Sequence, residues 1–231
     1  MTMSFIKHSY LFLLFFLCTS SVLEAQDNLT GYWQPDVGIN YKVTPNYAHN
    51  FSLAKRSYIL KEDQTQFAIR QLDVVHFSNL KIGTDKSFGL GVQYRFRDIF
   101  ERTKENELRF VQQYNVTKST RGLRLGNRFR SEQRITKSST IHRFRYRFAL
   151  DFPLQGEELD VGESYIVVST EALLSVAKAT VPEYDQRLTA NLGWLLDQNT
   201  KLQIGAEYRT ENYTQGTEHV FFLLTSIVLS L

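Results

Sequence analysis

The 231-residue chain is 42% apolar and 22% charged, a balance that suits one folded domain and excludes a disordered or fibrous chain. Four prolines and twelve glycines exclude a low-complexity linker, and a formal net charge of +3 is too small to demand a nucleic-acid partner.

Residues 1–25 read as a cleavable export signal. Lys7 and His8 make a weakly basic start, Tyr10 to Cys18 is unbroken apolar chain, and Ser20, Ser21 and Ala25 supply the small residues of a cleavage site. The apolar run is far short of the ~20 residues a spanning helix needs. Leu17 stands where a lipid-attachment motif wants a small residue. Cys18 is the only cysteine and falls inside this segment, so the chain from Gln26 onward holds no disulfide, thiol nucleophile or cysteine metal site.

From residue 26 to 231 the dominant pattern is period-two alternation. Val37, Ile39, Tyr41 and Val43 oppose Asp36, Gly38, Asn40 and Lys42. Phe88, Leu90, Val92, Tyr94 and Phe96 oppose Gly89, Gly91, Gln93, Arg95 and Arg97. Leu123, Leu125 and Phe129 oppose Arg124, Gly126, Arg128 and Arg130; Phe144, Tyr146, Phe148 and Leu150 oppose Arg143, Arg145 and Arg147. Leu188 to Trp194 and Leu202 to Tyr208 repeat the division, with Arg187, Glu207 and Arg209 on the polar side. The last run places Phe221, Leu223, Thr225, Ile227, Leu229 and Leu231 on one face. Turns are expected at 44–46, 83–85, 137–139 and 197–199, and longer loops at 98–105, 151–163, 175–183 and 210–218.

About eleven strands fit; bacterial barrels with both ends on one side have an even number, so that count is expected to be off by at least one. A soluble periplasmic sandwich or binding module also alternates. Three features favour a membrane: runs such as 121–135 reach the ~9–11 residues that cross a bilayer with tilt, the polar face is rich in arginine and glycine, and the sequence stops on an apolar strand. The expectation is a closed antiparallel up-and-down transmembrane β-barrel of 10–12 strands in the outer membrane. Its partners would be outer-membrane lipid and the barrel-assembly machinery, with no cofactor and no nucleic acid.

The polar face is expected to line the barrel interior: Arg95, Arg97, Arg124, Arg128, Arg130, Glu132, Arg134, Arg143, Arg145, Arg147, Glu171, Arg187, Glu207 and Arg209, with Glu107 also in an inward position. If Ser138 and Ser139 form a two-residue turn, Arg134 faces Arg143, Glu132 faces Arg145 and Arg130 faces Arg147. Two readings follow. The arginines either line an electropositive, anion-favouring pore, or they join carboxylates in networks that fill a narrow barrel.

Catalytic motifs are absent. Ser139 flanks one turn with His142, and Ser78 lies near His76, and neither pair lies in a recognisable hydrolase motif. A lipid-modifying enzyme is therefore the alternative, without assigned residues. No metal-ligand spacing occurs.

Asn127-Arg-Phe-Arg-Ser-Glu-Gln-Arg134, followed by His142-Arg-Phe-Arg-Tyr-Arg-Phe148, resembles the domain-of-unknown-function 2490 family of exported bacterial proteins. Trp33, Gly91-Val-Gln-Tyr-Arg95 and Tyr184-Asp-Gln-Arg187 match as well. The resemblance implies an outer-membrane barrel and no particular activity.

Overall fold

The computed structural model describes residues 29–231, so the export signal expected at 1–25 lies outside the described residues. Eleven strands follow one another in chain order: β1 (Leu29–Thr44), β2 (Tyr47–Lys61), β3 (Gln64–Lys81), β4 (Lys86–Phe96), β5 (Glu107–Thr120), β6 (Leu123–Ile135), β7 (Thr140–Pro153), β8 (Ser164–Ala177), β9 (Glu183–Leu195), β10 (Thr200–Glu211) and β11 (Glu218–Ser230). Each pairs with its neighbours and β1 pairs with β11, closing a barrel. Closure satisfies every strand edge, which is how an all-β chain without a disulfide avoids open ladders.

The expected even strand number is corrected here. With eleven strands, β1 and β11 run in the same direction, and they close the barrel through a parallel ladder from Leu29↔His219 to Asn40↔Ser230. The other ladders are antiparallel. One rim, where β1 begins at Leu29, carries the connections 62–63, 97–106, 136–139, 178–182 and 212–217. The opposite rim, where β1 ends at Thr44, carries 45–46, 82–85, 121–122, 154–163 and 196–199. Neither rim holds only short turns, which is why loop lengths do not alternate cleanly along the sequence.

The register of the arginine-rich hairpin also differs from the expected one. Thr136 to Ser139 form a four-residue connection, so Arg130 faces Arg145, Glu132 faces Arg143 and Arg134 faces Ile141. The turn is held by its own bonds, the Thr136 N–H donating to the Ser139 carbonyl (2.9 Å) and the Ser139 N–H to the Thr136 hydroxyl (3.1 Å), and also from outside the hairpin. The Glu105 carboxylate accepts hydrogen bonds from the Ser138 backbone N–H (3.0 Å) and hydroxyl (2.9 Å). Hydroxyls of Thr136 and Ser138 together with the Ser138 N–H hold the Glu105 carboxyl below the usual carboxylate range. The shift from the expected pairing is two residues, so each side chain keeps its face.

The alternation sorts apolar and polar residues in reverse of a soluble core. Leu90, Phe129, Phe144 and Leu188 are each half exposed on the outer surface, whereas Arg95, Arg109, Glu107 and Glu132 are buried inside. Small residues make room within. A Cβ built on Gly91 would clash with the Phe77 ring, and one on Gly193 with the Tyr165 ring, so each glycine leaves room for a cross-strand aromatic to pack over it. Gly91→Ala is expected to destabilise the barrel by about 1–3 kcal/mol through overpacking. Urea unfolding in detergent should show it, and a Phe77→Ala partner substitution should recover part of the loss.

Candidate functional site: the arginine-lined interior

Strand alternation brings the interior charges into layers toward the Leu29 rim, where β4, β6, β8 and β10 end and β5, β7 and β9 begin. Glu132 on β6 is the hub. Its carboxylate lies 2.7 Å from Arg145, 3.5 Å from Arg130 and 3.8 Å from Arg109. Arg145 also reaches Glu171 (2.5 Å), which lies 3.6 Å from Arg187. Glu107 joins Arg109 and Arg134, the latter at 2.7 Å. One connected chain of alternating charge thus runs from β5 through β9. The arginine fork suits this role because its donors point in several fixed directions within one plane.

Satellite pairs complete the layer. Arg95 is gripped by both Asp73 oxygens, at 2.6 and 2.7 Å. Arg209 lies 2.5 Å from Glu207 and 3.5 Å from Glu211, with its guanidinium 3.8 Å from the centre of the Phe222 ring. Arg143 donates to Ser175 (2.8 Å) and approaches Asp185 (3.8 Å). Arg128 donates to Asn115 (3.0 Å), while Arg124 pairs with Asp151 at the Thr44 rim. Arg147 sits across the ladders from Arg128 and Glu171, and Arg97, just past the end of β4, turns toward a cavity.

Two cavities indent the interior. One of about 400 Å³ is lined by ten arginines and five carboxylates. The other, about 340 Å³, lies toward the Thr44 rim among Asn115, Arg124, Arg128, Arg147 and Asp151. They share no lining residue. The ion-paired layer stands between them.

The chain's membership is decided by a family model. The model described as a protein of unknown function (DUF2490) matches residues 30–220. The chain belongs to this family. The match runs from the second residue of β1 into β11, so the DUF2490 region and the barrel are nearly coextensive. No curated protein and no solved structure matches the chain.

Several residues of this DUF2490 interior escape sequence reasoning: Tyr32, Arg56, Tyr58, Arg70, Gln71, Asp73 and Phe222. Tyr32, Tyr58 and Phe222 form a buried cluster, with Tyr32 about 5 Å from each of the other two rings. Arg56 and Arg70 lie over these rings. For the residues on β2 and β3, broken alternation was the available signal.

Outside the barrel, a polar group interrupts the apolar surface near the Thr44 rim. Tyr47 donates to Ser78 (3.2 Å), Ser78 lies 3.4 Å from His49 Nδ1, and that same nitrogen lies 3.0 Å from His76 Nε2. A serine nucleophile needs a base nitrogen free to take its proton. Here Ser78 and His76 share the same His49 nitrogen, unlike a relay in which the third group holds the other ring nitrogen. His142 is exposed on the outer face. Among the described residues no group of three or more His, Cys, Asp or Glu side chains is placed to hold a metal ion.

Proposed function

We propose that this protein spans the outer membrane with its eleven strands and forms a narrow, anion-favouring passage that the arginine–carboxylate layer holds closed most of the time. One observation carries the reading: across a single barrel wall, half-exposed Phe129, Phe144 and Tyr146 lie outside while ion-paired Arg130, Arg145 and Glu132 lie within. Lipid offers no partner to backbone N–H and C=O groups, and a closed ring of strands needs none. In water, so broad an apolar exterior would invite association. Arginines inside a low-dielectric wall favour anions over cations.

The test is reconstitution of purified protein into planar bilayers under a salt gradient. The expected result is infrequent, small openings with a reversal potential on the anion side. Silent bilayers, or cation preference, would remove the passage. Recovery of the protein in an aqueous extract without detergent would remove the membrane reading as well.

A further inference from the structure

We infer that the larger interior cavity, at the Leu29 rim, is a binding site for a small polyanion, a molecule carrying two or more carboxylate or phosphate groups, held by Arg56, Arg70 and Arg97. The inference rests on the anion-favouring interior proposed above and assigns it a specific seat.

Seven of the ten arginines lining this cavity have a carboxylate within 4 Å. Arg56, Arg70 and Arg97 have none among the described residues. Asp73 and Glu107 act on Arg56 and Arg97 only from beyond ion-pair distance, and Arg70 is close enough to repel both arginines. The Nε atoms of Arg70 and Arg97 are buried donors without an acceptor. Such donors cost free energy until an acceptor arrives, and an oxyanion relieves the repulsion as it fills them.

The second support is how Arg70 comes to be there. Gln71 and Asp73 face inward on β3, so strict alternation would send Arg70 outward. The β2–β3 register jumps from Arg56↔Gln71 to Ser57↔Ile69, leaving Arg70 as the extra residue of a bulge. The bulge turns its guanidinium inward over the rings of Tyr32 (5.0 Å) and Tyr58 (5.7 Å). Bulges recur where a side chain must be re-aimed toward a site.

The third support is preorganisation. Arg56 is braced by Gln34, which accepts from its Nε at 2.9 Å, and by the Phe222 ring at 4.7 Å. Arg70 also contacts the Tyr32 hydroxyl. Cations fixed in advance lose little freedom on binding. A volume of about 400 Å³ lies within the ~300–1,000 Å³ range of small-molecule sites.

Calorimetry on the full chain in detergent micelles, with pyrophosphate and citrate as separate probes, tests the site. Saturable binding of either probe is expected, the preferred probe telling phosphate from carboxylate recognition. Arg56→Gln and Arg70→Gln should each weaken it at least about tenfold, the loss expected for one charge-assisted hydrogen bond. Arg70→Lys keeps the charge without the fork and should fall between. Arg121→Gln, in the exposed turn at the opposite rim, should bind as wild type does. Absence of saturable binding, or equal weakening by Arg121→Gln, overturns the site. A barrel that conducts anions but takes up neither probe overturns this site alone; one that binds a probe yet stays silent in bilayers supports the site and overturns the passage.

Discussion

Glu132→Gln is expected to destabilise the folded barrel by about 3–5 kcal/mol, the cost of leaving buried cations without their counter-charge. The carboxylate is almost wholly buried and serves three arginines at once. Glutamine keeps the volume and one acceptor oxygen but none of the charge. Arg145 retains Glu171, whereas Arg130 has no other carboxylate within 4 Å. Urea titration in detergent or lipid vesicles gives the measurement. Glu62→Gln, whose side chain is 85% exposed beside Lys61, serves as the surface control and should change stability by less than about 0.5 kcal/mol. A double variant that also replaces Arg130 by glutamine should regain part of the loss, because it removes the stranded cation. If Glu132→Gln matched the surface control, water would already be screening the layer, and its role in closing the interior would be lost.

Phe129→Arg should cost about 2–4 kcal/mol in a bilayer, the penalty for a cation near the midplane on the lipid face of a barrel. Phe129 is at the middle of β6, half exposed, with its ring 4.8 Å from that of Tyr146. Removing the ring also forfeits that aromatic pair, worth about 0.5–1.5 kcal/mol. Phe129→Ala measures this part alone. The difference between the arginine and alanine variants, read from folding into lipid vesicles, isolates the lipid contribution. A difference near zero would mean that this face meets water, and the bilayer assignment would fall with it.

Much of the barrel is legible in the sequence wherever one face of a strand is chemically uniform. Phe88 to Phe96 against Gly89 to Arg95, or Leu188 to Trp194 against Arg187 to Gly193, identify both the strand and its orientation. The same uniformity fails in β2 and β3. There the bulge at Arg70 breaks the period, and the turn at 62–63 is made by Glu62 and Asp63 with positive φ (50° and 58°), without the glycine or asparagine that usually marks such a turn. The cavity residues Arg56 and Arg70 stay hidden for that reason. The hairpin register is lost differently. Pairings two residues apart place the same side chains on the same faces, so alternation cannot choose between them, and the four-residue turn is held by bonds between Thr136 and Ser139 and by Glu105 in a distant loop. The count of about eleven is legible, but its parallel closure is silent, since β1 and β11 alternate in a way that serves either direction of pairing.

Because β1 and β11 point the same way, the barrel's suture differs in kind from its ten hairpin ladders. Each hairpin forms between neighbours in sequence, but the suture joins Leu29 to His219, across nearly the whole described chain. Such a join repays its loop entropy only after the hairpins have curled the sheet round, which makes it the natural last and slowest event of folding. Parallel ladders are also slightly weaker per residue than antiparallel ones. The line along which this cylinder zips shut last is thus also the line along which it would first come unzipped.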